Sequence, residues 1–276
     1  STSFPAPIIQ MKPNEKQFWR IVNGTIQDFA PLQVWFNGKP QKLEVIAFDG
    51  YPLSKPRFED TVLVPPAGRA EFIVQAPPEG TQAEFMSLGY STGPTGNPDL
   101  EQELGSIQLT SDDGTQAADT KPTQPGRPIT MQNIMFSGLE NLKPTTLRKL
   151  YFSEEFGGTN GPIQFYITVD GQKQKIFEPN EKPAITTHVG AVEDWIIENH
   201  ALETHDFHIH QIHFLLLEVD GKPVPPEMRD TYEVPFWEGP GHPYHSIKGR
   251  FDFRDPTIAG TLSLIHISEP TRQAEI

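Results

Sequence analysis

The chain has no cysteine among its 276 residues. That excludes disulfides, zinc–thiolate sites and a thiol nucleophile. Positive charge is scarce: 22 Lys and Arg stand against 36 Asp and Glu, a net charge of −14. A general nucleic-acid binder needs a basic face, so nucleic acid is not an expected partner. No apolar run approaches the roughly 18 residues of a membrane helix, so no membrane span is expected. Helical periodicity is nearly missing. The best stretch, LENLKPTTLRKLYF at 139–152, is broken by proline and should give one or two turns at most. The N-terminus has no charged segment followed by an apolar one, so no signal peptide is visible. It starts almost in mid-strand, as a fragment would.

Turn formers and strand formers fill the space instead. There are 22 glycines and 28 prolines, and 10% of residues are aromatic. Runs such as QFWRIVN, LEVIAF, DTVLVP, AEFIVQA, GSIQLTS, PITMQNIMF, IQFYITV, AITTHV, DWIIEN, FHIHQIHFLLLEV, TYEVPF and KGRFDF are rich in β-branched and aromatic residues. Gly, Pro, Asn and Asp bound them, which predicts an all-β fold, sandwich or barrel. Length alone suggests two domains. The stretch from Ser111 to Pro128 contains no large apolar residue and reads as a linker. STGPTGNPDLEQELG, 91–105, reads as a long loop inside the first domain.

The chain also repeats itself. FWRIVN (18–23) matches DWIIEN (194–199), pairing Trp19 with Trp195 and Asn23 with Asn199 at an offset of 176. VIAFDGYPL matches LLEVDGKPV, pairing Asp49-Gly50 with Asp220-Gly221 at 171. FEDTVLVP matches MRDTYEVP, and GRAEFIV matches KGRFDF. Four blocks in one order imply one fold used twice. Asp-Gly in each copy marks a hairpin.

This repeat isolates the unusual segment, THDFHIHQIHF at 204–214. At the Asp-Gly offset, His205, His208 and His210 align with Val34, Asn37 and Lys39, so the fold does not require histidine there. Side chains alternate along a strand, so His208 and His210 share a face and His205 points elsewhere. That suits two different metal centres better than one three-histidine site, and imidazole suits Cu, Zn, Fe and Ni. The plainer explanation is an exposed histidine-rich strand.

H-D-F-H-I-H, preceded by Glu198-Asn199-His200, resembles the H-P-x-H-x-H motif in the last domain of multicopper oxidases, the laccase-like family. The resemblance runs on through VDGKPV, RDTYEVP and FDFRDPTIAGT. Copy one resembles the family's middle cupredoxin domain, which carries no copper ligands. The resemblance implies two tandem cupredoxin-like Greek-key β-barrels: residues 1–112, a linker over 113–127, and 128–276. It implies copper as cofactor, with His205 a ligand of the type 1 copper, His208 of type 2 and His210 of type 3. In the family, electrons enter at type 1 copper and reach a trinuclear cluster that reduces dioxygen to water. The implied partners are a small-molecule reductant, dioxygen and a first domain of the same protein, and the implied location is secreted or periplasmic.

Three departures stand beside it. Asp206 replaces the usual proline. The family's H-C-H-x-x-x-H run, whose cysteine is the type 1 thiolate, should follow Gly260-Thr261, but the chain reads LSLIHISEPTRQAEI from Leu262. That tail, 262–276, resembles translated sequencing adapter and is expected to be foreign. The first domain is not present. The chain as given is therefore expected to be inactive, as part of a copper-dependent oxidase of phenols, aromatic amines or metal ions. The competing readings are a non-catalytic cupredoxin-fold structural or partner-binding protein and a mononuclear metal hydrolase using all three histidines.

Other groups read as structural. His242 and His245 lie in a Pro/Gly-rich insertion, WEGPGHPYH, that suggests a loop. His213 should face away from His210 and pack under Phe214. His188 and His200 read as strand-edge residues. Glu154-Glu155 and Asp112-Asp113 read as solvated charges. The recurrence of Trp19 and Trp195 points to core packing.

Overall fold

A computed structural model of the chain describes residues 7–110, 136–156, 163–178 and 181–260, together with the backbone of 263–266 and 273–275. The first half builds β1 (Ile8–Met11), β2 (Lys16–Val22), β3 (Ala30–Phe36), β4 (Lys39–Pro40), β5 (Leu43–Phe48), β6 (Tyr51–Glu59), β7 (Val62–Val64), β8 (Arg69–Gln75), β9 (Ala83–Ser87) and β10 (Gln102–Leu109). The second builds β11 (Thr146–Phe156), β12 (Ile163–Val169), β13 (Ala191–Asn199), β14 (His205–Ile209), β15 (Phe214–Val219), β16 (Lys222–Arg229), β17 (Thr231–Val234), β18 (His245–Phe253), β19 (Ser263–His266) and β20 (Gln273–Glu275). The expected linker, 113–127, and nearly all of PITMQNIMF lie outside the described residues.

Each half is two sheets closed over one core. In the first, β1-β10-β9-β3-β4, with β7 on β3, faces β2-β8-β5-β6. In the second, β12-β11-β13-β18-β15-β16 faces β17-β14-β19-β20. Strand alternation sends one set of side chains inward. Leu32 and Phe85 of one sheet thus meet Val45 and Phe72 of the other. Likewise Phe207 and Val234 meet Trp195, Phe214 and Phe251. Trp195 is fully buried and stacks on Phe251 with centroids 4.3 Å apart. Burying such a side chain contributes about 1.5–3 kcal/mol.

The internal repeat holds down to irregularities. β2–β8–β5–β6 is paired like β13–β18–β15–β16, and β7–β3–β9 like β17–β14–β19. The bulge between Val45 and Ala47 recurs between Leu216 and Glu218. Asp49 and Asp220 both open their hairpin turns in the left-handed region, at φ 52° and 51°. Each Trp indole donates to the residue two before it, Trp19 to Gln17 and Trp195 to Glu193. Each Asn amide is a buried plug: Asn23 donates to the carbonyls of Asp28 and Val64, and Asn199 to those of Glu203, Val234 and Pro235.

The stretch 139–152 gives one short 3-10 turn, Leu139–Asn141, as expected, and its second half opens strand β11. Three expectations need correction. AITTHV forms no strand; Arg148 bonds the Thr186 carbonyl and the Thr187 hydroxyl turns to Glu193. FHIHQIHFLLLEV is two strands, because Gln211 adopts φ 71° and turns the chain between them. The ladder also shifts the alignment of the histidines. His205 pairs with Val234 and His208 with Thr231, as Ala30 pairs with Val64. His205, His208 and His210 therefore correspond to Ala30, Gln33 and Trp35. Copy one inserts the β4 hairpin between β3 and β5, and copy two does not, which is why the Asp-Gly offset misplaces them.

Candidate metal centre

β14 carries the histidine motif at the heart of the second sandwich. All five of its residues are buried. Odd positions point into the core: Phe207 and Ile209 join the main apolar cluster, and His205 goes with them. Its ring meets Phe152 and Phe165 edge-on, with centroids 5.5 and 6.1 Å away. Its Nε2 lies 3.1 Å from Glu154 Oε1. Burial drives the imidazole pKa down to about 3, so His205 is neutral at any ordinary pH, the form in which imidazole ligates metal. Glu154 is not a solvated charge as expected: its side chain is 2% exposed, and burial raises its pKa.

Even positions face the other way. Asp206 and His208 line the other side of the strand, His210 follows in the bend just past its end, and the rings of His208 and His210 meet edge-to-face at 5.0 Å. The His208 Nδ1 lies 2.8 Å from the Asp230 carbonyl oxygen. A carbonyl only accepts, so Nδ1 carries the proton and Nε2 keeps its lone pair. A carbonyl that accepts from the other ring nitrogen in this way fixes the orientation of a metal-binding histidine. Burial works against a charged His208, but the Asp230 carboxylate 3.5 Å away outweighs it and raises its pKa. Burial and the neighbouring His208 charge lower that of His210. Asp206 is fully buried; its Oδ2 accepts from the Thr231 hydroxyl at 3.2 Å, Oδ1 has no hydrogen-bond partner among the described residues, and burial pushes its pKa up to about 8.

The structure thus brings His208 and His210 together and keeps His205 apart on the opposite face. The donor set fits copper in part. Two imidazoles share a face, one with a defined tautomer, and a third is held neutral in a closed pocket beside Glu154. Among the described residues no three His, Cys, Asp or Glu side chains converge as a complete metal site.

The remaining histidines go elsewhere. His213 does not pack under Phe214; the turn at Gln211 carries it to the boundary between the halves, where it donates to the Asp49 carbonyl at 2.9 Å. His200 lies stacked between Tyr151 and Tyr244, centroids 4.4 and 3.6 Å away. His245 opens β18 and bridges Asp220 and Glu238. Sequence reading missed Glu154, and with it a row of acids and arginines between the halves, because only tertiary structure brings those groups to the histidines.

Two profiles of the multicopper oxidase family match the chain, one over residues 1–110 and one over 157–240. Among solved structures, a multicopper oxidase from Campylobacter jejuni described as a metallo-oxidase is similar at TM-score 0.63 and 21% identity, over 94% of this chain and 51% of that one. McoA from the hyperthermophile Aquifex aeolicus gives 0.64 at 15% identity, over 94% and 53%. CueO, a laccase-like multicopper oxidase from Ochrobactrum sp., gives 0.62 at 17% identity, over 95% and 54%. At such identities the likeness shows the fold, two cupredoxin-like domains in tandem. The chain spans about half the length of these structures. No curated protein sequence matches it. With family profiles on both halves and the same tandem β-fold beneath them, the chain belongs to the multicopper oxidase family.

Proposed function

We propose that the chain is the part of a copper-dependent oxidase that carries its middle and last domains. Residues 1–112 form the domain without copper ligands, 113–127 link it, and 128–276 hold the truncated domain that supplies imidazoles, with 262–276 foreign to it. His205 would serve the mononuclear type 1 copper, and His208 and His210 the type 2 and type 3 sites. The chemistry copper supplies when bound is one-electron transfer from a phenol, aromatic amine or metal ion to dioxygen, giving water. The protein's part is to hold His208 with its Nε2 available, to place His210 beside it, and to keep His205 neutral and dry. A further domain of the same protein would complete the sites, and a secreted or periplasmic location goes with this reading.

The observation that carries the proposal is the split on β14: two imidazoles on one face, the third in the core on the other. It disfavours a mononuclear hydrolase, which needs all three on one ion. The test is a Cu(II) titration of the chain followed by paramagnetic broadening of the histidine ring protons. We expect His208 and His210 to broaden first and together, with no oxidation of a phenolic substrate by this chain alone. Broadening centred on His242 and His245, or none at all, would favour the non-catalytic reading.

A further inference from the structure

The two halves meet through equivalent pieces of the repeat. Arg57 on β6 pairs with Glu227 on β16 at 2.8 Å. Nearby, Asp49, the turn residue of the first half's Asp-Gly hairpin, is fully enclosed. Its Oδ2 accepts from Arg229 Nε and the Asp230 backbone N–H, both at 3.1 Å, and from the Thr231 N–H at 3.4 Å. Arg69, on β8 of the first half, grips the Asp230 carboxylate with both terminal nitrogens, Nη1 at 2.8 Å from Oδ1 and Nη2 on Oδ2. Its Nη2 also donates to the Asp49 carbonyl at 2.9 Å. The counterpart of Asp49 in the second half, Asp220, is exposed and, among the described residues, bonds within its own half, to His245 and Ser246. The clamp is therefore a use of this turn that the fold itself does not require.

Asp230 is the residue whose carbonyl fixes His208 Nδ1. We infer that Asp49 and Arg69, from the half that holds no metal ligands, are positioning residues for His208. They lock the 229–231 backbone, and through the Asp230 carbonyl they set the tautomer and orientation of the imidazole in the neighbouring domain. The same carbonyl accepts the Ile209 N–H at 3.0 Å, a contact within the second domain. That bond alone would hold the carbonyl if the clamp merely joined the domains. The consequence for copper rests on the reading of His208 given above; the effect on the ring does not.

The test is long-range 1H–15N correlation of histidine rings in the full chain, at a pH where His208 is neutral. The wild type should show His208 protonated at Nδ1. Arg69→Leu and the milder Asp49→Asn should each convert it to a mixture of tautomers. Arg57→Leu, which weakens the same interface without touching Asp230, should leave it unchanged. In parallel, Cu(II) affinity read from the broadening of His208 should fall about 10–100-fold in the two clamp variants, the usual loss when an outer-shell partner is removed. A wild-type His208 protonated at Nε2 would overturn the inference without any variant having to fold. So would an unchanged tautomer in Arg69→Leu and Asp49→Asn, or an equal change in Arg57→Leu. If the tautomers respond as expected but Cu(II) never broadens His208, the positioning role stands and the copper assignment fails.

Discussion

At the scale of single residues, β14 separates three imidazoles by parity, and that parity was legible in the spacing H-x-x-H-x-H. What lies around each ring was not. Glu154 sits in a run of charges that looks solvated, yet it faces His205 in a closed pocket. Asp206, in place of the usual proline, is sealed beneath Thr231 and close to His208 and Glu233. Its carboxyl, near 3.9 in an unfolded chain, is raised to about 8 by burial. Between those values the folded protein holds a proton that the unfolded chain has released, so this group makes stability fall as pH rises from about 4 to 8. Asp206→Asn should remove that fall. In urea unfolding, the variant should gain about 4 kcal/mol on the wild type between pH 5 and pH 8.5, about 1.4 kcal/mol for each pH unit up to the folded-state value. Parallel pH profiles for the two proteins would show that Asp206 does not carry the effect.

At the scale of elements, the repeat was read from Trp-x-x-x-Asn and Asp-Gly, and these residues do matching work in both halves. The Asn plug ties the end of one strand to the corner after another, β13 to β17 in the second half. Asn199→Ala leaves three carbonyls without their donor and should cost at least about 2 kcal/mol, measured as a fall in urea midpoint. Asn23→Ala should cost less, because the Asp28 carbonyl also accepts from the Thr25 hydroxyl at 2.8 Å and only that of Val64 loses its side-chain donor. Equal and negligible losses would mean that the plugs are incidental. Element boundaries were harder to read than element identities. A left-handed residue at Gln211 cuts one apolar run into two strands, and no turn-forming residue marks the place. The short β4 hairpin breaks the constant offset, so the residues opposite the histidines could be found only from the ladder.

At the scale of the whole molecule, two sandwiches of one design divide the labour. Both bury an aromatic core and share a bulge, a turn and a plug, but only the second places histidines on the strand after the plug. The first answers with a clamp, Asp49 and Arg69, on Asp230, the residue whose carbonyl bonds His208 Nδ1. Nothing local in the sequence announces that clamp, since its partners stand more than 150 residues apart and each looks like an ordinary surface charge. On the function proposed above, β14 and the bend after it offer His208 and His210 as a pair to copper, while His205 serves a separate site. The most direct measurement is anomalous diffraction at the copper edge from crystals of this chain grown with Cu(II). A peak at coordination distance from His208 Nε2 that also touches His210, and none shared with His205, is expected. A peak shared by all three rings, or copper found only at His245 and Asp220, would contradict it.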